Sequence, residues 1–185
     1  MGRDLDLLRS LLANATARIA QEYFLLPVAD AEGGEPLVQY RERVYAYELY
    51  HQLRLTWPDH WPYSLAGEID KRGHPIVRGG ILDNAKPDLL VHVPGQMDRN
   101  LAVIEIKPLR VEVYRGEGQA FQRDIKKLIA FREIGYRGAF LIAFGESVDR
   151  IREYARDLRQ SGIDLTGIEL YHHRRAEKSA TPAEW

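Results

Sequence analysis

The run GAFLIAFG (138–145) places six apolar residues in unbroken succession between two glycines. A run this short and this continuous fits a β-strand buried on both faces. Such a strand needs cover above and below, and amphipathic helical patterns occur on both sides of it in the chain. Leu7, Leu8, Leu11, Leu12, Ala15, Ile19 and Tyr23 recur at helical spacing from Asp4 to about Phe24. After the turn-rich VADAEGGEP (28–36), YRERVYAYELYHQLR (40–54) predicts a second helix, which WPDHWP stops because proline cannot continue it.

GEGQAFQRDIKKLIAFREIG (116–135) predicts a helix with Phe121, Ile125, Leu128 and Ile129 on one face. VDRIREYARDLRQ predicts another, capped by Ser147 and closed by Gly162. YSLAGEID (63–70), DLLVHV (88–93) and LAVIEIK (101–107) read as strands, the last two in an antiparallel meander, and a final strand is expected near IDLTGIELYHH. The expectation is an α/β fold with a central mixed β-sheet flanked by helices. One domain should span 1–175, with 1–39 as an N-terminal helical extension, 40–145 as the core motif region, and 176–185 as a flexible tail.

LAVIEIK carries a contradiction. Glu105 and Lys107 interrupt an apolar strand, and buried charges are costly unless paired or bound to an ion. Alternation puts Leu101, Val103, Glu105 and Lys107 on one face and Ala102, Ile104 and Ile106 on the other. If His92 lies opposite Leu101, then Leu90 meets Val103 and Asp88 meets Glu105, with Cβ atoms about 5 Å apart. Two carboxylates that close repel unless a cation lies between them.

The chain contains no cysteine, which excludes thiolate ligands, disulfides and a cysteine nucleophile, and its histidines form no zinc pattern. An all-oxygen site suits Mg2+ or Mn2+, which accepts one or two carboxylates and fills its shell with water and phosphate. Lys107 could then orient or deprotonate the water, or neutralise charge on a phosphoryl group. That is the chemistry of phosphodiester hydrolysis.

KPD (86–88) followed by EIK (105–107) resembles the PD-(D/E)XK motif of the restriction-endonuclease-like nuclease superfamily. The order of elements from about residue 40 to 145 is similar to that family's αβββαβ core, here with an extra N-terminal helix. The resemblance implies Asp88 and Glu105 as metal ligands, the Ile106 backbone carbonyl as a further ligand, and Lys107 as the catalytic lysine. It also implies an additional acid, either Glu48 from the first core helix or Glu68 from the strand before Asp88. From the helix after the motif, Gln122, Arg123, Lys126 and Lys127, with Asp124 beside them, are candidates to face the scissile phosphate. The implied activity is an Mg2+- or Mn2+-dependent endonuclease acting on DNA in preference to RNA, in a defence, repair or mobile-element context. A homodimer or larger complex would supply specificity.

Other readings stay open. Asp88, Glu105 and Lys107 could form a structural ion-pair network on a solvated sheet face, and the fold could be a non-catalytic nucleic-acid or protein binding module. The net charge of −1 excludes a protein coated in basic residues. Clusters at 41–43, 71–72, 110–115, 123–127 and 172–175 still allow a local basic face. Tyr45, Tyr47, Tyr50 and Tyr114 could stack on bases or pack helices. The N-terminus lacks a signal-peptide pattern and no window holds the roughly 20 apolar residues of a membrane span, so a cytoplasmic location is expected.

Overall fold

Every residue of GAFLIAFG is buried, and the run forms the middle of a six-stranded sheet. The computed structural model of the protein describes residues 2–28, 37–67, 86–109 and 116–185. Its elements run α1 (Arg3–Thr16), α2 (Gln21–Phe24), β1 (Leu26–Val28), β2 (Leu37–Gln39), α3 (Glu42–Leu55), β3 (Ser64–Gly67) and β4 (Leu89–His92). Then follow β5 (Asn100–Leu109), α4 (Glu117–Glu133), β6 (Gly138–Gly145), α5 (Asp149–Gln160), β7 (Ile168–His173) and β8 (Thr181–Ala183). β1 and β2 form a separate antiparallel pair.

The main sheet has the order β3-β4-β5-β6-β7-β8. β3, β4 and β5 form the expected antiparallel meander, β5, β6 and β7 run parallel, and β8 returns antiparallel to β7. Parallel neighbours need crossovers, and α4 and α5 supply them. Both pack on one face through Phe121, Ile125, Leu128, Ile151, Ala155 and Leu158, against Val103, Leu141 and Ala143. The opposite face of the same strands, with Ile104, Ile106, Phe140 and Phe144, is covered by Leu8 and Leu12 of α1 and Tyr45, Leu49 and Leu53 of α3. Helices on both faces explain why β6 tolerates no polar residue. Each fully buried phenylalanine or leucine here contributes on the order of 2 kcal/mol.

Three details differ from expectation. The N-terminal helix breaks after Thr16, whose hydroxyl turns back to the Leu12 carbonyl at 2.8 Å and accepts the Ala180 amide at 2.8 Å. A bulge between Val91 and His92 sets His92 opposite Asn100 instead of Leu101. Leu101 consequently joins the α1–α3 side of the core rather than sharing the face of Val103. Finally, 176–185 is not a frayed tail: β8 pairs with β7, and the Trp185 indole donates to the Ile168 carbonyl at 2.9 Å. Bulky anchoring at the very end of the chain overrides the polar composition before it.

The carboxyl ends of β5 and β6 lie close together. Gly145 takes φ +134°, and a Cβ there would come within 2.6 Å of the Leu109 carbonyl oxygen, so only glycine permits this approach. Among the described residues no helix is long and apolar enough to cross a membrane.

Candidate active site

The bulge lies beyond the part of the ladder that matters for the acids. Leu90 still faces Val103 and Leu89 faces Ile104, one step short of Asp88 facing Glu105. Asp88 stands immediately before β4, where the backbone ladder ends, and its Oδ2 accepts the Ile106 amide at 2.7 Å. The carboxylate thus continues the ladder with a side-chain acceptor. A strand residue presents its amide and carbonyl to the same neighbour, so the Ile106 carbonyl lies on that side too. Pro108, two residues further, lacks an amide where β4 no longer offers a partner.

Glu105 is 2% exposed and faces α4. Its Oε2 accepts from Lys127 Nζ at 2.7 Å, and its Oε1 is buried with no hydrogen-bond partner among the described residues. Lys107 pairs with Asp124 at 2.5 Å and reaches Glu42 at 3.6 Å, while Lys127 lies 3.5 Å from Asp124. α4 thereby contributes an acid and a base at i and i+3, both turned toward β5.

Burial pushes Asp88 up to about 7, against the pull of the Ile106 amide, and the Glu42 charge adds to the rise. Burial also holds Glu105 well above the ordinary carboxylate range, reinforced by the Asp88 charge and opposed by Lys127. For Lys107 burial favours the neutral amine, but Asp124 and Glu42 outweigh it and keep the ammonium. Lys127 is raised likewise, against burial, by Glu105. Among the described residues, Asp88, Glu105, Asp124 and Glu42 bring four carboxylates against the two ammonium groups, two negative charges in excess when all are ionised. Among the described residues the site is therefore short of positive charge whenever Asp88 and Glu105 ionise.

Among the described residues no group of three or more His, Asp or Glu is arranged around one point to hold a metal ion. The donors present nonetheless fit a hard divalent cation: two neighbouring carboxylates, one with a buried oxygen that has no partner among the described residues, beside a strand carbonyl. Two carboxylates are what Mg2+ takes when water and phosphate complete its shell.

Of the two candidates for the additional acid, Glu48 accepts from Gln52 at 2.6 Å, one turn along α3. The α3 acid that reaches the site is Glu42. Its signal was in the sequence: 42, 46, 49 and 53 form a helical row whose last three members are buried, and extending the row backwards ends on Glu42. Glu68, like Tyr114 and the basic clusters at 71–72 and 110–115, lies outside the described residues. On α4, Lys127 turns inward onto Glu105, Gln122 is half-buried, and Arg123 and Lys126 are exposed.

A cleft of about 410 Å³ opens beside Lys107 between α4 and α5, with Glu117, Glu146, Asp149 and Glu153 on its walls. Four acids facing Lys107 and Arg150 make it a poor channel for a polyanion. No family model, curated protein or solved structure matches this chain.

Proposed function

We propose that this protein is a metal-dependent nuclease with a restriction-endonuclease-like core, hydrolysing phosphodiester bonds endonucleolytically, in DNA in preference to RNA. The observation that carries the reading is the closeness of Asp88 to a buried Glu105 whose Oε1 has no partner among the described residues, two residues before Lys107 on the same strand. Asp88, Glu105 and the Ile106 carbonyl would hold Mg2+ or Mn2+. When bound, the ion would acidify water and neutralise charge on a phosphoryl oxygen.

The chain's own residues do the rest. Lys107 is held as an ammonium by Asp124 and Glu42, so it serves as a donor that orients the attacking water or stabilises the charged phosphoryl group, not as a base. Glu42 and Asp124 fix the direction of its head group. In the reaction a bond from the water oxygen to phosphorus forms as the bond from phosphorus to the sugar oxygen breaks. The departing oxygen gains a proton and the attacking water loses one. Lys127 pairs with Glu105 at 2.7 Å and offsets its charge.

That last contact also supports a second reading, a non-catalytic binding module in which Lys127 and Glu105 are a permanent structural pair. One experiment separates the two. Supercoiled plasmid, linear duplex, single-stranded DNA and RNA are incubated with Mg2+, Mn2+ or EDTA, using wild type, Asp88→Ala and Lys107→Ala. The nuclease reading expects cutting that EDTA abolishes and that each substitution lowers at least about a hundredfold, the scale of losing one stabilising group. Binding without cutting under every condition supports the module. Cutting that survives EDTA or both substitutions refutes the mechanism.

A further inference from the structure

The tyrosines of α3 divide into two groups. Tyr45 is fully buried, stacks on Phe144 at 4.0 Å between ring centroids, and hydrogen-bonds His173 Nδ1 at 2.7 Å. It belongs to the core. Tyr47 is 59% exposed, and with Tyr50, Ala46, Gly67 and Leu89 it lines a cleft of about 270 Å³ whose remaining described wall is Asp88. The row from Glu42 through Ala46 to Tyr50, at four-residue spacing on α3, runs from the charged centre to the side of this cleft.

Two tyrosine rings from α3, beside Ala46, Gly67 and Leu89 and with Asp88 at the edge, suit a flat aromatic ligand rather than a phosphate. The charges around it agree. Arg43 lies one helical turn before Tyr47 and is exposed, and exposed Lys86 lies two residues before Asp88, whereas the neighbouring cleft beside Lys107 carries four acids. Among the described residues, the tyrosine cleft is lined by one acid, Asp88, and the Lys107 cleft by four, so a polyanion meets less repulsion on the tyrosine side. Gly67 leaves room there: a Cβ would sit 3.8 Å from Tyr50 Cδ2 and 3.7 Å from the Asp88 carbonyl oxygen.

We infer that the Tyr47–Tyr50 cleft binds one unstacked nucleobase adjacent to the phosphate presented to Asp88, so that the substrate is single-stranded or locally unpaired nucleic acid. This rests on the nuclease reading for its phosphate, but the base site itself is tested by binding. Paired bases inside a duplex cannot enter such a slot without being extruded, whereas any unpaired base offers a π-face for stacking.

The test uses single-stranded oligonucleotides containing 2-aminopurine, added to full-length protein in EDTA so that no cleavage occurs. Wild type should quench the fluorophore on binding. Tyr47→Ala should weaken binding about tenfold and remove most of the quenching, and Tyr47→Trp should restore both. Gly67→Leu, which fills the slot from its other side, should act like Tyr47→Ala. A duplex with 2-aminopurine at the same position should bind more weakly than the single strand. Equal affinity of wild type and Tyr47→Ala, no binding at all, or equal binding of duplex and single strand would overturn the inference. Binding that behaves as expected in a protein that cuts nothing in Mg2+ would keep the base site and remove the nuclease reading.

Discussion

Asp88 ends a ladder and begins a site. Its Oδ2 takes the amide of Ile106, which would otherwise lack a partner where β4 stops, and the same burial raises its carboxyl to about 7. The sign of the resulting pH dependence follows directly. Between about pH 4 and 7 the unfolded chain has released this proton while the folded protein retains it, so metal-free stability falls as pH rises through that window. With a shift from 3.8 to about 7, the loss is on the order of 4 kcal/mol at most. Chemical denaturation at pH 5 and pH 7.5 should show the fall in wild type and a smaller one in Asp88→Asn, where Glu105, also raised by burial, still contributes a fall of the same sign. An equal fall in both would mean that Asp88 is not the group responsible. Glu105 shows what one residue's type reveals in the sequence. An acid in LAVIEIK announces that something is unusual, but its partner Lys127, twenty-two positions away on a helix, became evident only with the packing of α4 against β5.

At the scale of elements, α3 decides which acid joins the site. Glu42 and Glu48 both sit on this helix, but a separation of six residues turns them to different sides. Replacing Glu42 with alanine should lower cleavage about tenfold by loosening Lys107, because small misplacements of a reacting group are expensive. Glu48→Ala should leave the rate within about twofold. Single-turnover rates at saturating metal measure both, and the reverse ranking would restore Glu48. Periodicity made α3, α4, α5 and the strands legible in the sequence, and alternation placed Glu105 and Lys107 together. It missed the bulge at Val91, which moved Leu101 to the other layer, and it missed β8. A three-residue edge strand after a polar stretch has too little pattern to read, and its stability comes from Trp185 and from the hydrogen bond of Ala180 to Thr16. Deleting residues 181–185 removes the edge pairing and that indole contact, a loss of about 3 kcal/mol. At this chain length thermal unfolding should drop by roughly 5–10 °C. An unchanged midpoint would show that β8 adds nothing.

The whole molecule is a three-layer sandwich in which both cores are apolar and the charges gather at one end of the central strands. The unbroken apolar run of β6 was enough to predict helices on both sides, because a strand without a polar face cannot meet water. The charge balance of the site was not readable, since Glu42 and Asp124 enter it from helices on opposite layers. That balance is the centre of the account: among the described residues, four carboxylates, two ammonium groups and one buried carboxylate oxygen without a partner. It predicts a divalent cation as a ligand of the folded protein, independently of any substrate. Titrating Mn2+ into the protein and following the free ion by electron paramagnetic resonance measures this directly. The account predicts at least one bound ion per chain, with affinity reduced at least about tenfold by either Asp88→Asn or Glu105→Gln and unchanged by Glu48→Gln. Wild type that leaves the free Mn2+ signal undiminished, or that binds it no better than the Glu105→Gln variant, would contradict it.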